Sequence, residues 1–124
     1  MRNDNGKFTD VSEKAGIYGS LIGFGLGVIV GDINNDGLSD IYVCNDFYEH
    51  DYLYINRGDG TFKEDIKNQM AHITMSSMGS DMADFNNDGY QDLFVVDMIQ
   101  EDDKRLKELA DFESYEPFGF LYLL

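Results

Sequence analysis

The chain has no tryptophan, one proline, one cysteine, and nine basic residues against 24 acidic ones. Each shortage excludes something. Cys44 cannot form an internal disulfide, and its run Ile41-Tyr42-Val43-Cys44 reads as buried strand, so it is expected to be a structural thiol rather than a reactive one. With a formal charge of −15, the chain has too few cations to follow a phosphate backbone, so no nucleic acid partner is expected. The same charge opposes an anionic lipid surface. No apolar run approaches the ~20 residues of a membrane-spanning helix, which argues against membrane insertion. The opening Met1-Arg2-Asn3-Asp4-Asn5-Gly6 has no apolar core after its charge and is not a secretory signal. Either the protein stays inside the cell or its true beginning is missing.

What is present suits a folded domain. The chain of 124 residues is 43% hydrophobic and 14% aromatic, enough to bury a core, and its length fits one domain. The excess of acid suits cations, or a setting in which high net charge maintains solubility.

Those acids are concentrated in a repeated sentence. Residues 31–44 read GDINNDGLSDIYVC and residues 83–96 read ADFNNDGYQDLFVV. Asp32, Asn34, Asn35, Asp36, Gly37 and Asp40 return 52 positions later as Asp84, Asn86, Asn87, Asp88, Gly89 and Asp92. Leu26-Gly27 corresponds to Met78-Gly79, and Ile41-Tyr42-Val43 to Leu93-Phe94-Val95. A second pair matches at a step of 54, where Gly6 and Phe8 return as Gly60 and Phe62. Such self-similarity marks a repeat architecture.

The pattern within the unit is β. Apolar runs at 27–31, 41–44 and 52–55 are rich in β-branched and aromatic residues. Arg57-Gly58-Asp59-Gly60 supplies turn chemistry before a further strand at Thr61-Phe62-Lys63. Four short strands in about fifty residues, repeated, are the pattern of a propeller blade. The fold class is therefore all-β, with roughly two four-stranded blades. Residues 1–15 read as the end of one blade, 20–70 as a complete blade, and 75–124 as an incomplete blade. Leu106, Leu109 and Ala110 at helical spacing, after acids that complement the helix start, predict a short inserted helix near 102–111.

Each acidic loop puts three carboxylates and two Asn into nine residues, which repel one another unless something cancels the charge. Counting from Asp32, oxygen-bearing side chains fall at positions one, three, five and nine as Asp32, Asn34, Asp36 and Asp40. Gly37 permits the bend at six, and the Leu38 carbonyl at seven can turn inward. Asp84, Asn86, Asp88, the Tyr90 carbonyl and Asp92 repeat the set. Hard oxygen donors converging in this way suit Ca²⁺, which takes about six to eight of them at about 2.3–2.6 Å. Mg²⁺ demands stricter octahedral geometry, and Zn²⁺ prefers His or Cys, which neither loop has. Two calcium ions are expected, bringing the formal charge from −15 to −11. A helix–loop–helix calcium hand, or a dockerin module, requires an acid at position twelve, where this chain has Val43 and Val95.

With these residues the chain resembles the FG-GAP and VCBS repeats of integrin-α-like β-propellers. The carriers run from Leu26-Gly27 through Gly31-Asp32 to Asp40-Ile41, and from Met78-Gly79 through Asp84 to Leu93. Residues 45–62 and 97–105 are similar to a subgroup of bacterial surface proteins related to cartilage acidic protein. The resemblance implies that the loop joins the first two strands of a blade, with calcium stiffening the rim. Positions 32, 34, 36, 38 and 40, and 84, 86, 88, 90 and 92, match one by one. It also implies an extracellular or cell-surface binding or adhesion scaffold, with a protein or glycan ligand and the remaining blades of a longer chain as partners. Propellers generally have four blades or more, so the chain is expected to be a fragment.

Other residues have simpler roles. Arg57-Gly58-Asp59 spells an integrin-recognised tripeptide, but a hairpin turn needs Gly and Asp there anyway. The connector Asn45 to Asp51, with His50 between two acids, reads as a solvated loop and is the first place to look for a ligand. No nucleophile or oxyanion donor accompanies His50, so catalysis is not expected. A propeller-based lyase or hydrolase is the rival from another class. His72 reads as polar filling, and the methionines at 70, 75, 78, 82 and 98 read as packing.

Overall fold

A computed structural model describes residues 1–74 and 76–98. Within them the chain forms three antiparallel sheets in sequence. The first is a hairpin of β1 (Arg2–Asp4) and β2 (Lys7–Thr9). Its two-residue turn places Asn5 at φ 55° and Gly6 at φ 92°, the left-handed pair that matches strand twist.

The second sheet is the complete one. β3 (Phe24–Gly31), β4 (Asp40–Asp46), β5 (Tyr52–Asn56) and β6 (Phe62–Glu64) pair consecutively as an up-and-down meander. This is the four-strand order read from the sequence. Along β4 the alternation is strict on one side. Asp40, Tyr42, Cys44 and Asp46 are buried, while Ile41 and Val43 are only half-buried. The third sheet pairs β7 (Ser77–Ala83) with β8 (Asp92–Asp97).

The repeat extends to irregularities. The β3–β4 register shifts between Gly25 and Gly27, and the β7–β8 register shifts between Ser77 and Gly79, 52 residues on. A bulge thus falls at Leu26 and again at Met78, which explains why these residues recur beside a glycine.

Consecutive sheets pack face to face. A Cβ added to Gly27 would lie 3.4 Å from Gly79 Cα, and one added to Gly31 would lie 1.9 Å from Met82 Cε. Leu93 and Val95 of β8 pack on the cluster of Tyr42, Cys44, Leu53 and Ile66. The core therefore lies between sheets as well as beneath one. The Cys44 thiol, fully buried, donates to Ser80 Oγ at 3.0 Å across this junction. Met70 and Met82 pack as expected, whereas Met78 and Met98 are exposed.

A single helical turn, α1 (Ile66–Gln69), follows β6 and buries Ile66. It was not legible in the sequence, because one turn is too short to show a 3.6-residue period. Its counterpart follows β2. Met70 N–H donates to the Ile66 carbonyl at 2.9 Å, and Ala15 N–H to the Val11 carbonyl at 2.7 Å. The helix expected near 102–111, Met75, and the later part of the unit 75–124 lie outside the described residues.

Candidate metal-binding loops

The acidic loops join β3 to β4 and β7 to β8, at the same end of two neighbouring sheets. In the first, Asp32 accepts N–H bonds from Asp36 at 3.0 Å and Gly37 at 2.8 Å, one on each carboxylate oxygen. Asn34 Oδ1 also accepts from Asp36 N–H, at 3.1 Å. Asp36 Oδ1 accepts from Leu38 N–H at 2.8 Å, and Asp40 Oδ2 from Ile33 N–H at 3.0 Å. The Asn34 amide donates to Asp36 Oδ2 at 2.9 Å.

The second loop repeats this net atom for atom. Asp84 takes Asp88 and Gly89, Asn86 takes Asp88, Asp88 takes Tyr90, and Asp92 takes Phe85. The Asn86 amide again donates to Asp88, at 2.9 Å. Asn35 and Asn87 stand at φ 63° and 59°, and Gly37 and Gly89 at 84° and 88°. Asn tolerates the left-handed region better than other side chains, so the second Asn of each loop has a backbone role. The loops also meet, because Asn35 Nδ2 donates to the Gly89 carbonyl at 3.5 Å.

The acids differ in setting. Asp40 is fully buried, and its Oδ1 accepts from Asn56 N–H at 2.8 Å, tying the loop to β5. Asp32 and Asp84 are half-buried, and Asp36 and Asp88 are exposed. Among the described residues, no three Asp, Glu, His or Cys groups stand together at ion-holding distance. The net accounts for this, since each carboxylate is turned toward loop N–H groups and each Asn amide toward the central Asp. A carboxylate has about four lone-pair sites, and the bonds described take two of those on Asp32 and two on Asp40. Oxygen capacity therefore remains in both loops, and all of it is hard-donor chemistry.

The connector from Asn45 to Asp51 departs from expectation. It is not solvated as a whole, for Asn45, Asp46 and Asp51 are buried. Asp51 Oδ1 accepts from Asn45 N–H at 2.7 Å, and Oδ2 from Thr74 Oγ1 at 2.7 Å and Ser77 Oγ at 2.6 Å. The Tyr42 hydroxyl donates to the same Oδ2. Thr74 and Ser77 belong to the entry of the next sheet, so this carboxylate joins two sheets. Burial and then Asp51 push the Tyr42 hydroxyl well above its ordinary pKa. The one available signal was the Asp in an apolar flank, which sequence alone cannot separate from a solvated acid.

His50 is held by its surroundings. Its Nδ1 lies 2.6 Å from the Asp51 carbonyl, and its ring meets Tyr52 edge-on at 5.6 Å. Burial, then the charge of Glu49, pushes Tyr52 up to about 12. Phe47 stands at φ 65° with its ring 5.3 Å from that of Phe24. The Arg57-Gly58-Asp59 turn is exposed, and Asp59 Oδ1 accepts from Thr61 N–H at 2.9 Å and Thr61 Oγ1 at 2.6 Å. It acts there as a turn residue. His72 is exposed.

Residues 32–95, more than half of the chain, match the FG-GAP-like repeat family. Over 70 residues the chain is 36% identical to cartilage acidic protein 1 of Xenopus tropicalis, a match covering 56% of this chain and 11% of that protein. Among the described residues, no helix is long and apolar enough to cross a membrane.

Proposed function

The chain belongs to the FG-GAP-like repeat family, and on that premise we propose that it is a calcium-stabilised repeat scaffold acting outside the cell. The observation that carries the proposal is the duplicated loop net, in which side-chain oxygens and left-handed Asn and Gly residues recur position by position. Asp32, Asn34, Asp36, Asp40 and the Leu38 carbonyl hold one Ca²⁺. Asp84, Asn86, Asp88, Asp92 and the Tyr90 carbonyl hold the other. To serve as ligands, the Asn34 and Asn86 side-chain oxygens would have to give up the bonds they now accept from Asp36 and Asp88 N–H. A bound ion would cancel the repulsion between these acids, and its binding free energy would add to the stability of the ordered loops. Further repeats of the same kind stack on these sheets to form a propeller, whose exposed loops take a protein or glycan ligand. An extracellular setting is supported by the matched segment of a relative whose name refers to cartilage.

Calorimetric titration of the chelated protein with Ca²⁺ tests this directly. The expected result is two ions per chain and a melting temperature that rises with calcium. No binding heat and an unchanged melting curve would remove the proposal.

A further inference from the structure

We propose that Asn5 is a site of spontaneous deamidation, where the exposed β1–β2 turn closes to a succinimide that water opens to aspartate and isoaspartate. The Gly6 backbone nitrogen attacks the Asn5 side-chain carbonyl carbon, and a C–N bond forms. The side-chain amide leaves as ammonia, taking up the proton that the attacking nitrogen loses. Water then adds to one of the two ring carbonyls and breaks its bond to that nitrogen. Addition at the side-chain carbonyl gives aspartate, and addition at the backbone carbonyl gives isoaspartate. Gly6 has no Cβ to hinder the attack. This covalent change needs no reactant but water.

Asn5-Gly6 is the chain's one Asn-Gly pair, while Asp36-Gly37, Asp59-Gly60 and Asp88-Gly89 could close the same ring with loss of water. The fold treats the four turns differently. In the acidic loops both reacting groups are held. Gly37 and Gly89 N–H donate to Asp32 and Asp84 at 2.8 and 2.9 Å, and the Asp36 and Asp88 carboxylates accept from Leu38 and Tyr90 N–H. Two bonds from Thr61 hold the Asp59 carboxyl below its ordinary pKa, and an ionised carboxylate is a poor target for a nucleophile. Asn5 is neutral and exposed, and among the described residues its side chain forms no hydrogen bond. Every residue of β1 and β2 is exposed as well, so little packing resists opening of the turn. Stacking of further repeats does not change this, because the corresponding turn of the complete sheet, 58–60, is also exposed.

One restraint remains. The Gly6 N–H donates to Asn3 Oδ1 at 2.7 Å, and this bond must open before the nitrogen can attack. Its acceptor is neutral, so it is weaker than the charge-assisted bonds that hold Gly37 and Gly89. Isoaspartate routes the backbone through the side chain and adds a carbon to a two-residue turn whose left-handed pair matches the strand twist. Either product adds one negative charge to a chain that carries −15. The β1–β2 pairing therefore loosens as the protein ages. This inference goes beyond the calcium reading and does not depend on it.

The test is to age the 124-residue chain at mildly alkaline pH, in native buffer and in guanidinium chloride, and to follow the tryptic peptide from Asn3 to Lys7 by mass spectrometry. Trypsin cuts after Arg2 and Lys7, so this peptide isolates the turn. Its fragment ions separate Asn3 from Asn5 and aspartate from isoaspartate. Asn5 is expected to convert in native buffer at a rate within an order of magnitude of that in guanidinium, with isoaspartate the main product. The ratio of native to denatured rate should be higher for Asn5 than for Asp36, Asp59 or Asp88. Asn3→Ala frees the Gly6 N–H and should raise the native rate while leaving the denatured rate unchanged. An Asn5 that stays intact in native buffer while it converts in guanidinium overturns the proposal, since the fold would then protect the turn. A native rate unmoved by Asn3→Ala overturns the restraint assigned to that bond.

Discussion

Ser77 Oγ donates to Asp51 Oδ2 at 2.6 Å across the boundary between two consecutive sheets, and both side chains are fully buried. Three further donors, from Tyr42, Asn45 and Thr74, converge on the same carboxylate. Asp51→Ala should therefore leave several buried donors without an acceptor and lower stability by about 3 kcal/mol. Asp51→Asn should cost less, because the hydroxyls can reorient while the Asn45 N–H cannot. Urea unfolding of both variants measures the difference, and near-equal midpoints for the parent and Asp51→Ala would contradict it.

Asp32→Ala separates loop capping from ion binding. It removes an acceptor for Asp36 and Gly37 with or without metal. If the loop holds calcium, melting of the variant falls further in calcium than in chelator, and titration shows one ion per chain instead of two. Equal losses in both media would assign Asp32 a hydrogen-bonding role alone.

Gly37 stands at φ 84° with nothing within 4 Å of an added Cβ. Gly37→Ala should cost about 1 kcal/mol from backbone strain alone. Gly89→Ala, at φ 88°, should match it. Thermal melting in chelator is the measurement, since it isolates the backbone from the ion.

Gly31 and Met82 form a packing pair between sheets. Gly31→Ala should cost about 1 kcal/mol, because the Met82 terminus can shift but must lose its fit. Combined with Met82→Ala the two costs should be less than additive, which a double-mutant cycle on denaturation midpoints reads.

Burial of Tyr52 predicts a loss of stability at alkaline pH. Tyr52 is pushed from 10 up to about 12 by burial first and the charge of Glu49 second. Between those values the unfolded chain loses its phenolic proton while the folded chain keeps it. The contribution is thus complete below about pH 10 and declines as pH rises toward 12. Tyrosinate absorbance should lag behind free tyrosine through that window, then rise together with unfolding.

Strands and acidic loops were legible because their signals are local. Ile41 to Cys44 and Tyr52 to Ile55 carry β-branched and aromatic residues bounded by turn chemistry, and the DINNDG and DFNNDG sentences repeat at one step. Asp51 was misread because its meaning depends on Thr74 and Ser77, 23 and 26 residues away. Local sequence reports that an acid is present but not what surrounds it. Asn35 and Asn87 were read as part of the acidic sentence, whereas their left-handed backbone is what the loop needs from them. The orientation of Asn34 and Asn86 toward Asp36 and Asp88 was hidden for the same reason, since residue spacing fixes which side chains are near but not which atom faces inward.

The Phe62 N–H donates to the Ala15 carbonyl at 2.8 Å, so the outer strand of the complete sheet is tied to the segment that precedes that sheet. Unit boundaries drawn by sequence alignment and those drawn by cooperative unfolding are therefore expected to differ. Trimming the chain at residue 20 would keep all four strands of the meander yet free one outer N–H of its last strand. An excised repeat should need residues upstream of its own first strand, and hydrogen exchange at Phe62 would report whether that leader is in place.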